Sequence, residues 1–185
     1  KKYKGGAMYS KTNTTSLIGL EGELVEVESD ITSGMPAFNI VGLPDSSIKE
    51  AKDRVRVALV NSSYKFPAGR ITINLSPADL KKEGTQLDLP IAISLLCSMG
   101  VVARTYDDYI FLGELSLDGR ILPVRGALAM VISMREKGFK KFIISEGNKE
   151  ECAIISDIEV FPFNRLNDVC LLYTSDAADE GLGVD

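Results

Sequence analysis

The residues best placed to do chemistry lie in a polar loop, residues 82–90 (KEGTQLDLP), directly before an apolar run (IAISLLCSMG). The run has the composition of a buried helix, and Pro90 suits its first turn, where a missing N–H costs little. A loop that delivers a helix N-terminus is where many folds place a nucleophile or bind an anion. Thr85 offers a hydroxyl, whereas Thr85 or Asp88 as a helix cap is the simpler interpretation. A subunit or interdomain contact in a ring is the functional alternative.

Composition excludes several kinds of chemistry. The chain contains no histidine, so Ser-His or Cys-His catalysis within it is excluded. Its three cysteines, Cys97, Cys152 and Cys170, are widely spaced without a pattern, which is typical of reduced buried thiols. We therefore predict no metal site. No G-x-x-x-x-G-K-[ST] phosphate loop occurs, so the chain itself is expected to bind no nucleotide cofactor.

The length of 185 residues, with 45% hydrophobic and 25% charged residues, is typical of a globular protein that buries one core. No apolar run reaches the roughly 18 residues that a membrane span needs, and no signal peptide is recognisable. The expected location is the cytoplasm, without a membrane partner.

Short strands alternate with amphipathic helices along the chain. Strands are predicted at residues 24–31, 36–44, 70–77, 140–145 and 158–163, helices at 45–62, from Pro90 onward, at 125–138 and at 148–156, and a hairpin at 109–124. The first helix has Ser47 and Glu50 in capping-box register, and the hairpin turns at Asp118-Gly119. Hairpins that precede helical crossovers predict an α/β (α+β) fold with a mixed sheet in a single compact domain.

The two ends of the chain depart from this pattern. Codons for residues 4–8 can spell a bacterial ribosome-binding site before a start codon, so residues 1–7 are predicted to be translated leader and Met8 the first residue. Codons for residues 170–180 can spell a transposase-type sequencing adapter, so residues 170–185 are predicted to be disordered read-through. A genuine disordered acidic tail is the alternative. The expected domain is residues 8–169.

A basic helix face is the candidate contact with nucleic acid. Lys49, Lys52 and Arg56 follow one another at three- and four-residue steps, with Arg54 slightly around the helix. Arg70, Lys81 and Lys82 could extend this surface towards DNA phosphates. Glu50 and Asp53 lie among the cations, so a merely solvated face, or ion pairs that position the domain on a neighbour, are the alternatives. The mildly acidic domain as a whole is not a bulk nucleic-acid binder.

Three segments then carry a family resemblance: GMPAFNIVGLPDSSIKEAKDRVRVAL, FPAGRITINLSPADLKKEGTQLDLPIAI and GELSLDGRILPVRGAL. In this order they resemble the N-terminal domain of the YifB/ComM family, the magnesium-chelatase-like AAA+ ATPases. The motif positions are Gly42, Pro44, Asp53, Arg54, Arg56, Pro77, Asp79, Glu83, Gly84, Asp88, Pro90, Gly113, Glu114, Gly119, Pro123 and Gly126.

The resemblance implies the fold of the Lon protease proteolytic domain, followed in the full protein by an AAA+ module that binds ATP and Mg²⁺. Implied partners are that module, neighbouring subunits of a hexameric ring, and DNA during the branch migration of natural transformation. Residues 8–169 would then be a noncatalytic accessory domain, truncated before the ATPase.

The resemblance also indicates which residues a Lon-like peptidase would need in this chain. A Lon-type protease has its serine after a segment resembling Lys82-Glu83-Gly84 and its lysine after a Leu-Pro-x-x-Gly segment. Here no serine follows Gly84, and the lysine position falls at or beside Leu128. A Ser-Lys dyad is therefore not expected. A self-contained peptidase that uses Thr85, and a regulatory subunit of magnesium chelatase, are the remaining alternatives.

Overall fold

Seven strands form one mixed sheet in a computed structural model that describes residues 8–103 and 106–172, and two further strands form a small second sheet. The strands of the chain are β1 Met8–Ile18, β2 Glu21–Thr32, β3 Ala37–Val41, β4 Arg70–Ser76, β5 Tyr109–Leu112, β6 Glu114–Leu115, β7 Ile121–Leu122, β8 Lys141–Ser145 and β9 Glu159–Phe163. The helices are α1 Ser46–Asn61, α2 Asp88–Ser98, α3 Ala127–Glu136 and α4 Lys149–Cys152, and residues 166–172 are also helical.

The order of the sheet is β3-β4-β2-β1-β5-β8-β9, and β6 pairs with β7 in a separate two-stranded sheet. Only β2 runs against the other strands of the large sheet, because it pairs antiparallel with both β1 and β4 while the remaining pairs are parallel. The predicted α/β class with a mixed sheet in one compact domain is confirmed.

The core has one layer on each face of the sheet. Helices α1 and α2 cover one face, where Val27, Ile73 and Phe111 pack beneath them. Helix α3 and α4 cover part of the other face, over Ile110 and Phe142. Because successive strand residues point to opposite faces, β5 contributes to both layers and reads as a continuous apolar run.

Strand β1 was not predicted from the sequence, although it lies in the middle of the sheet. Its residues 12–16 (TNTTS) are all buried and all polar, so the strand shows no alternation of apolar and polar residues. Two of these buried hydroxyls pair with neighbouring elements: Thr12 Oγ1 donates to the Pro90 carbonyl at 2.9 Å, and Thr14 Oγ1 donates to the Phe111 carbonyl at 2.7 Å. These bonds tie β1 to α2 and β5.

Two local predictions are corrected. Asp45, not Ser47, caps α1: its Oδ1 accepts the Ile48 N–H at 2.9 Å, and Ser47 Oγ donates to the same oxygen at 2.7 Å. Asp45 is the extended residue before the helix, which is the N-cap geometry. The predicted hairpin is shorter than expected, because β5 joins the large sheet and only β6 and β7 pair around Asp118-Gly119.

The regular structure also continues past Val169. Residues 166–172 are helical, and the Cys170 side chain packs in the core beside α1 and α2. Residues 170–172, which were predicted to begin a disordered tail, are helical here, with Cys170 buried and Leu171 exposed. Residues 1–7 and 173–185 lie outside the described residues. Within the described residues, no helix has both the length and the apolar character that a membrane span requires.

We predict that Thr14→Val lowers the free energy of unfolding by about 1–2 kcal/mol, because valine keeps the shape of threonine but removes the donor to a buried carbonyl. Urea unfolding should show a lower midpoint with an unchanged slope. The matched control is Thr72→Val on β4, a half-buried position for which no side-chain hydrogen bond is observed. Equal effects of the two substitutions would contradict the role of the Thr14 hydroxyl.

Candidate functional site

The loop at residues 82–88 links the end of β4 to α2 and lies against the end of β1. Lys82 forms a bridge with Pro44: its N–H donates to the Leu43 carbonyl, and its carbonyl accepts the Asp45 N–H, both at 3.0 Å. The Glu83 N–H donates to Ser16 Oγ at 2.9 Å. Thr85–Leu87 form a single 3₁₀ turn that leads directly into α2. The backbone of the loop is thus held on both sides.

Lys82 is fully buried, which contradicts its predicted contact with DNA phosphates. Its ammonium group donates to the Gly42 carbonyl at 2.8 Å and also to the Pro77 carbonyl. Burial lowers the pKa of Lys82, and the nearby Asp79 opposes that shift. The Lys82 side chain therefore links its own loop to the segments at Gly42 and Pro77 and does not face solvent. Its neighbour Lys81 is exposed.

Gln86 occupies the interior of the loop. Its amide Nε2 donates to the Glu83 carbonyl at 2.6 Å and to the Thr15 carbonyl at 3.1 Å. Gly84 has a left-handed backbone at φ 101°, and a Cβ there would collide with the Gln86 side-chain oxygen. Glycine at position 84 is required both by the backbone conformation and by the close approach of this side chain.

Asp88 pairs with Arg54 instead of capping α2. The Arg54 guanidinium donates from Nε to Asp88 Oδ2 at 2.7 Å and from Nη2 to Oδ1 at 3.1 Å. Asp88 Oδ2 also accepts the Leu115 N–H at 3.1 Å, and Arg54 Nη2 donates to the Ser47 carbonyl at 2.7 Å. One carboxylate therefore connects α1, α2 and the β6–β7 hairpin. The predicted cap is wrong, since neither Asp88 nor Thr85 bonds the first N–H groups of the helix.

The ion pair lies in a desolvated position, with the Asp88 side chain 1% exposed and the Arg54 side chain 19% exposed. Burial raises the pKa of Asp88 to about 6, although the hydrogen bonds and charge of Arg54 lower it. The hydrogen bond to Asp88 raises the pKa of Arg54. The shift of Asp88 is the more informative of the two, since an arginine is charged throughout the working pH range.

The predicted basic surface is only partly assembled. Lys49 and Arg56 are exposed on α1, Lys52 is half-buried, and the Arg56 guanidinium lies 5.0 Å from the centre of the Phe66 ring. Arg54 faces Asp88 and also pairs with Glu50 at 3.6 Å, so its charge is not available to DNA. Arg70 is exposed at the first residue of β4. Asp53 is exposed among the remaining cations.

The protease positions hold no dyad. Thr85 is half-buried in the 3₁₀ turn, and Leu128 is half-buried near the start of α3. Among the described residues, no side-chain hydrogen bond of Thr85 to an amine is observed. A general base that takes the proton of this hydroxyl would have to approach it to about 2.6–3.2 Å.

Many of the predicted motif positions surround the loop. Those that bond or bridge to loop residues are Gly42, Pro44, Arg54, Pro77 and Gly113. Gly119 turns the β6–β7 hairpin, and Gly126 precedes α3 in a left-handed conformation. Pro90 lies in the first turn of α2, whereas Asp79, Glu83 and Pro123 are exposed and Glu114 is half-buried on β6. About half of the motif positions therefore lie in this loop or bond to it.

We predict that Arg54→Met costs about 3 kcal/mol of stability at pH 8, because it leaves Asp88 buried without a countercharge. The raised pKa of Asp88 means that its contribution to stability is fully present below pH 3.8 and is lost as the pH rises through about 6. Removing the guanidinium raises this pKa further, so the cost should grow from pH 5 to pH 8.

Chemical unfolding at several pH values measures this cost. The matched control is Arg56→Met on the same helix, whose guanidinium is exposed and lies over the Phe66 ring. Its effect should stay within about 0.5 kcal/mol and should not vary over this pH range. A cost for Arg54→Met that is the same at pH 5 and pH 8 would contradict the buried ion pair.

Comparison with known proteins gives a consistent assignment. A family model described as subunit ChlI of Mg-chelatase matches residues 27–148. The chain is 41% identical over 162 residues to the uncharacterized protein YifB of Escherichia coli (strain K12), covering 87% of this chain and 32% of YifB. It is 39% identical over 153 residues to the competence protein ComM of Haemophilus influenzae, covering 82% of this chain and 30% of ComM.

A weaker similarity relates the chain to Lon proteases. The Lon protease of Azorhizobium caulinodans is 26% identical over 161 residues, which is 80% of this chain and 19% of that protease. The chain spans about a third of the length of YifB and ComM. Because the family model matches more than half of the chain and the identity to YifB and ComM is about 40%, the chain belongs to the ChlI family of Mg-chelatase-like proteins, in the group that contains YifB and ComM.

Proposed function

We propose that this chain is a noncatalytic accessory domain of a YifB/ComM-like AAA+ ATPase that processes DNA. This function is supported by the hydrogen bonds that polar side chains of the loop at residues 82–88 form within the domain. Lys82 and Gln86 bond the protein's own carbonyl groups, and Asp88 bonds Arg54 and Leu115. The polar side chains that a hydrolase would present to a substrate instead form hydrogen bonds within the domain.

In the full protein, ATP and Mg²⁺ belong to a separate ATPase module, and the domain contacts that module and neighbouring subunits. The competence protein ComM is a relative, which supports a role connected with DNA uptake or recombination. The location we propose is the cytoplasm, where DNA and ATP are both available.

The DNA contact within this domain, in our proposal, is made by Lys49, Lys52 and Arg56 on α1. These are the side chains of the predicted surface that lie on one helix and have no carboxylate partner among the observed ion pairs. Arg70 and Lys81 are exposed and extend the surface. The domain is acidic overall, so this contact is weak and depends on salt.

A magnesium chelatase subunit is the second candidate, because the matching family model describes such a subunit. The two functions separate on the partner that the full-length protein requires. A chelatase subunit acts with further chelatase subunits on a porphyrin, whereas the ATPase that we propose is stimulated by DNA. ATP turnover of the full-length protein, measured with and without branched DNA, distinguishes them.

We predict weak binding of branched DNA that is reduced by changing Lys49, Lys52 and Arg56 together to alanine. The plot of log affinity against log salt should become shallower by about 2.7, since each of the three lost phosphate contacts removes about 0.9 from the slope. Fluorescence anisotropy measures both quantities. The control changes Lys137, Lys140 and Lys149 to alanine, which removes the same charge from exposed positions around α3 and α4. Equal losses in both variants would refute the α1 surface.

We also predict that the chain does not hydrolyse casein or short peptides, because the loop pairs no nucleophile with a base. Thr85→Ala should leave the fluorescence of a quenched peptide substrate at the level of buffer, as should the unmodified chain. Thr85-dependent turnover would instead establish a peptidase and exclude the noncatalytic function.

A further inference from the structure

The guanidinium of Arg56 lies against an aromatic ring at the surface of α1. Its central carbon is 5.0 Å from the centre of the Phe66 ring. Phe66 is partly buried, and its ring stacks on that of the buried Phe38 with centroids 5.8 Å apart and an interplanar angle of 21°. Arg56 itself is exposed. A planar cation is therefore held in a defined place at the surface, because a ring packed against the core attracts it.

Arg56 differs in this respect from the arginine two residues before it. Arg54 is paired with Asp88 and Glu50, whereas no ion pair observed among the described residues includes Arg56. Asp53, which precedes Arg56 by three residues, is exposed and is not in contact with its guanidinium in these ion pairs. The charge and the N–H donors of Arg56 are thus available to a ligand.

Further cations lie on the same helix or within four residues of Phe66, and none of them takes part in an ion pair observed in the described part of the chain: Lys49, Lys52, Lys65 and Arg70. Lys49 and Lys52 precede Arg56 on α1 by about 10 and 6 Å along the helix axis. Residues 60–76 (VNSSYKFPAGRITINLS) contain two of these cations and no acidic residue. The surroundings of the Arg56–Phe66 pair are therefore suited to a polyanion.

We propose that the Arg56–Phe66 pair is a stacking site for an unpaired nucleobase of DNA, and that Lys49 and Lys52 contact phosphates of the same strand. The base lies flat on the guanidinium of Arg56, and the Phe66 ring fixes the orientation of that guanidinium. This inference rests on the proposed function, because it specifies which part of the DNA reaches α1.

The chemistry of the pair distinguishes an unpaired base from the other parts of a nucleic acid. A phosphate needs only a positive charge, which a lysine supplies without an aromatic ring beside it. A base inside a duplex has both faces covered by its neighbours. An unpaired base exposes a π-face, and such faces stack on arginine guanidinium planes and on aromatic rings. An oriented guanidinium among unpaired cations therefore fits a strand whose bases are exposed.

Fluorescence anisotropy of the purified chain with two labelled strands tests the inference. One strand is oligothymidylate, and the other has the same length and the same phosphates but abasic sugars. We expect the chain to bind oligothymidylate about tenfold more tightly, since one stacked base contributes enough for such a factor. Arg56→Lys keeps the charge but removes the plane. It should reduce the preference to less than about threefold while the salt dependence stays unchanged.

A second variant acts on the ring. Phe66→Leu keeps an apolar side chain beside Phe38 but removes the aromatic face, so it should also reduce the preference for oligothymidylate. Urea unfolding of this variant shows that the domain is folded. The matched control is Lys49→Ala, which removes a phosphate contact. It should weaken binding of both strands by the same factor and make the salt dependence shallower by about 0.7.

The outcomes separate this inference from the function on which it rests. Equal affinity for the two strands, with binding that still depends on salt, would overturn the stacking site and leave the phosphate contact of α1 in place. A preference for oligothymidylate that Arg56→Lys does not reduce would overturn it as well. If the chain binds neither strand, the DNA contact of α1 and the stacking site are both wrong.

Discussion

The buried ion pair between Arg54 and Asp88 is the interaction on which the arrangement around the loop depends. A carboxylate in a desolvated position is costly unless its oxygens are fully hydrogen-bonded. Here Asp88 is held by the Arg54 guanidinium and by the Leu115 N–H, so it fixes α1 and the β6–β7 hairpin relative to the start of α2. The same arginine also bonds the carbonyl of Ser47 and so holds the first turn of α1.

The loop that enters α2 directs two of its polar side chains, Lys82 and Gln86, into the protein. Similarity to Lon proteases extends over most of the chain, yet the polar groups of this loop are directed into the protein. Lys82 supplies an ammonium group to two carbonyls, and Gln86 fills the interior beside Gly84. Because these side chains already have partners, a substrate would have to displace structural hydrogen bonds to reach them. The similarity in sequence thus extends over a loop whose Lys82 and Gln86 side chains form hydrogen bonds within the domain.

The two edge strands of the sheet differ in composition. One edge is blunted by Pro162 and Glu159, and the other presents an uncharged strand next to exposed apolar residues. The basic side chains of Lys49, Lys52 and Arg56 lie on α1, which covers one face of the sheet and belongs to neither edge.

The sequence by itself determined the class of fold, most elements with one apolar face, and the absence of histidine chemistry. Those features follow from local periodicity and composition, which a chain carries without its tertiary structure. It did not reveal β1, because Thr12, Thr14 and Ser16 look like loop residues until neighbouring carbonyls accept their hydroxyls. Only the tertiary structure brought Arg54 to Asp88 across 34 positions and turned Lys82 inward, since nothing in the local sequence distinguishes a buried, paired charge from a solvated one.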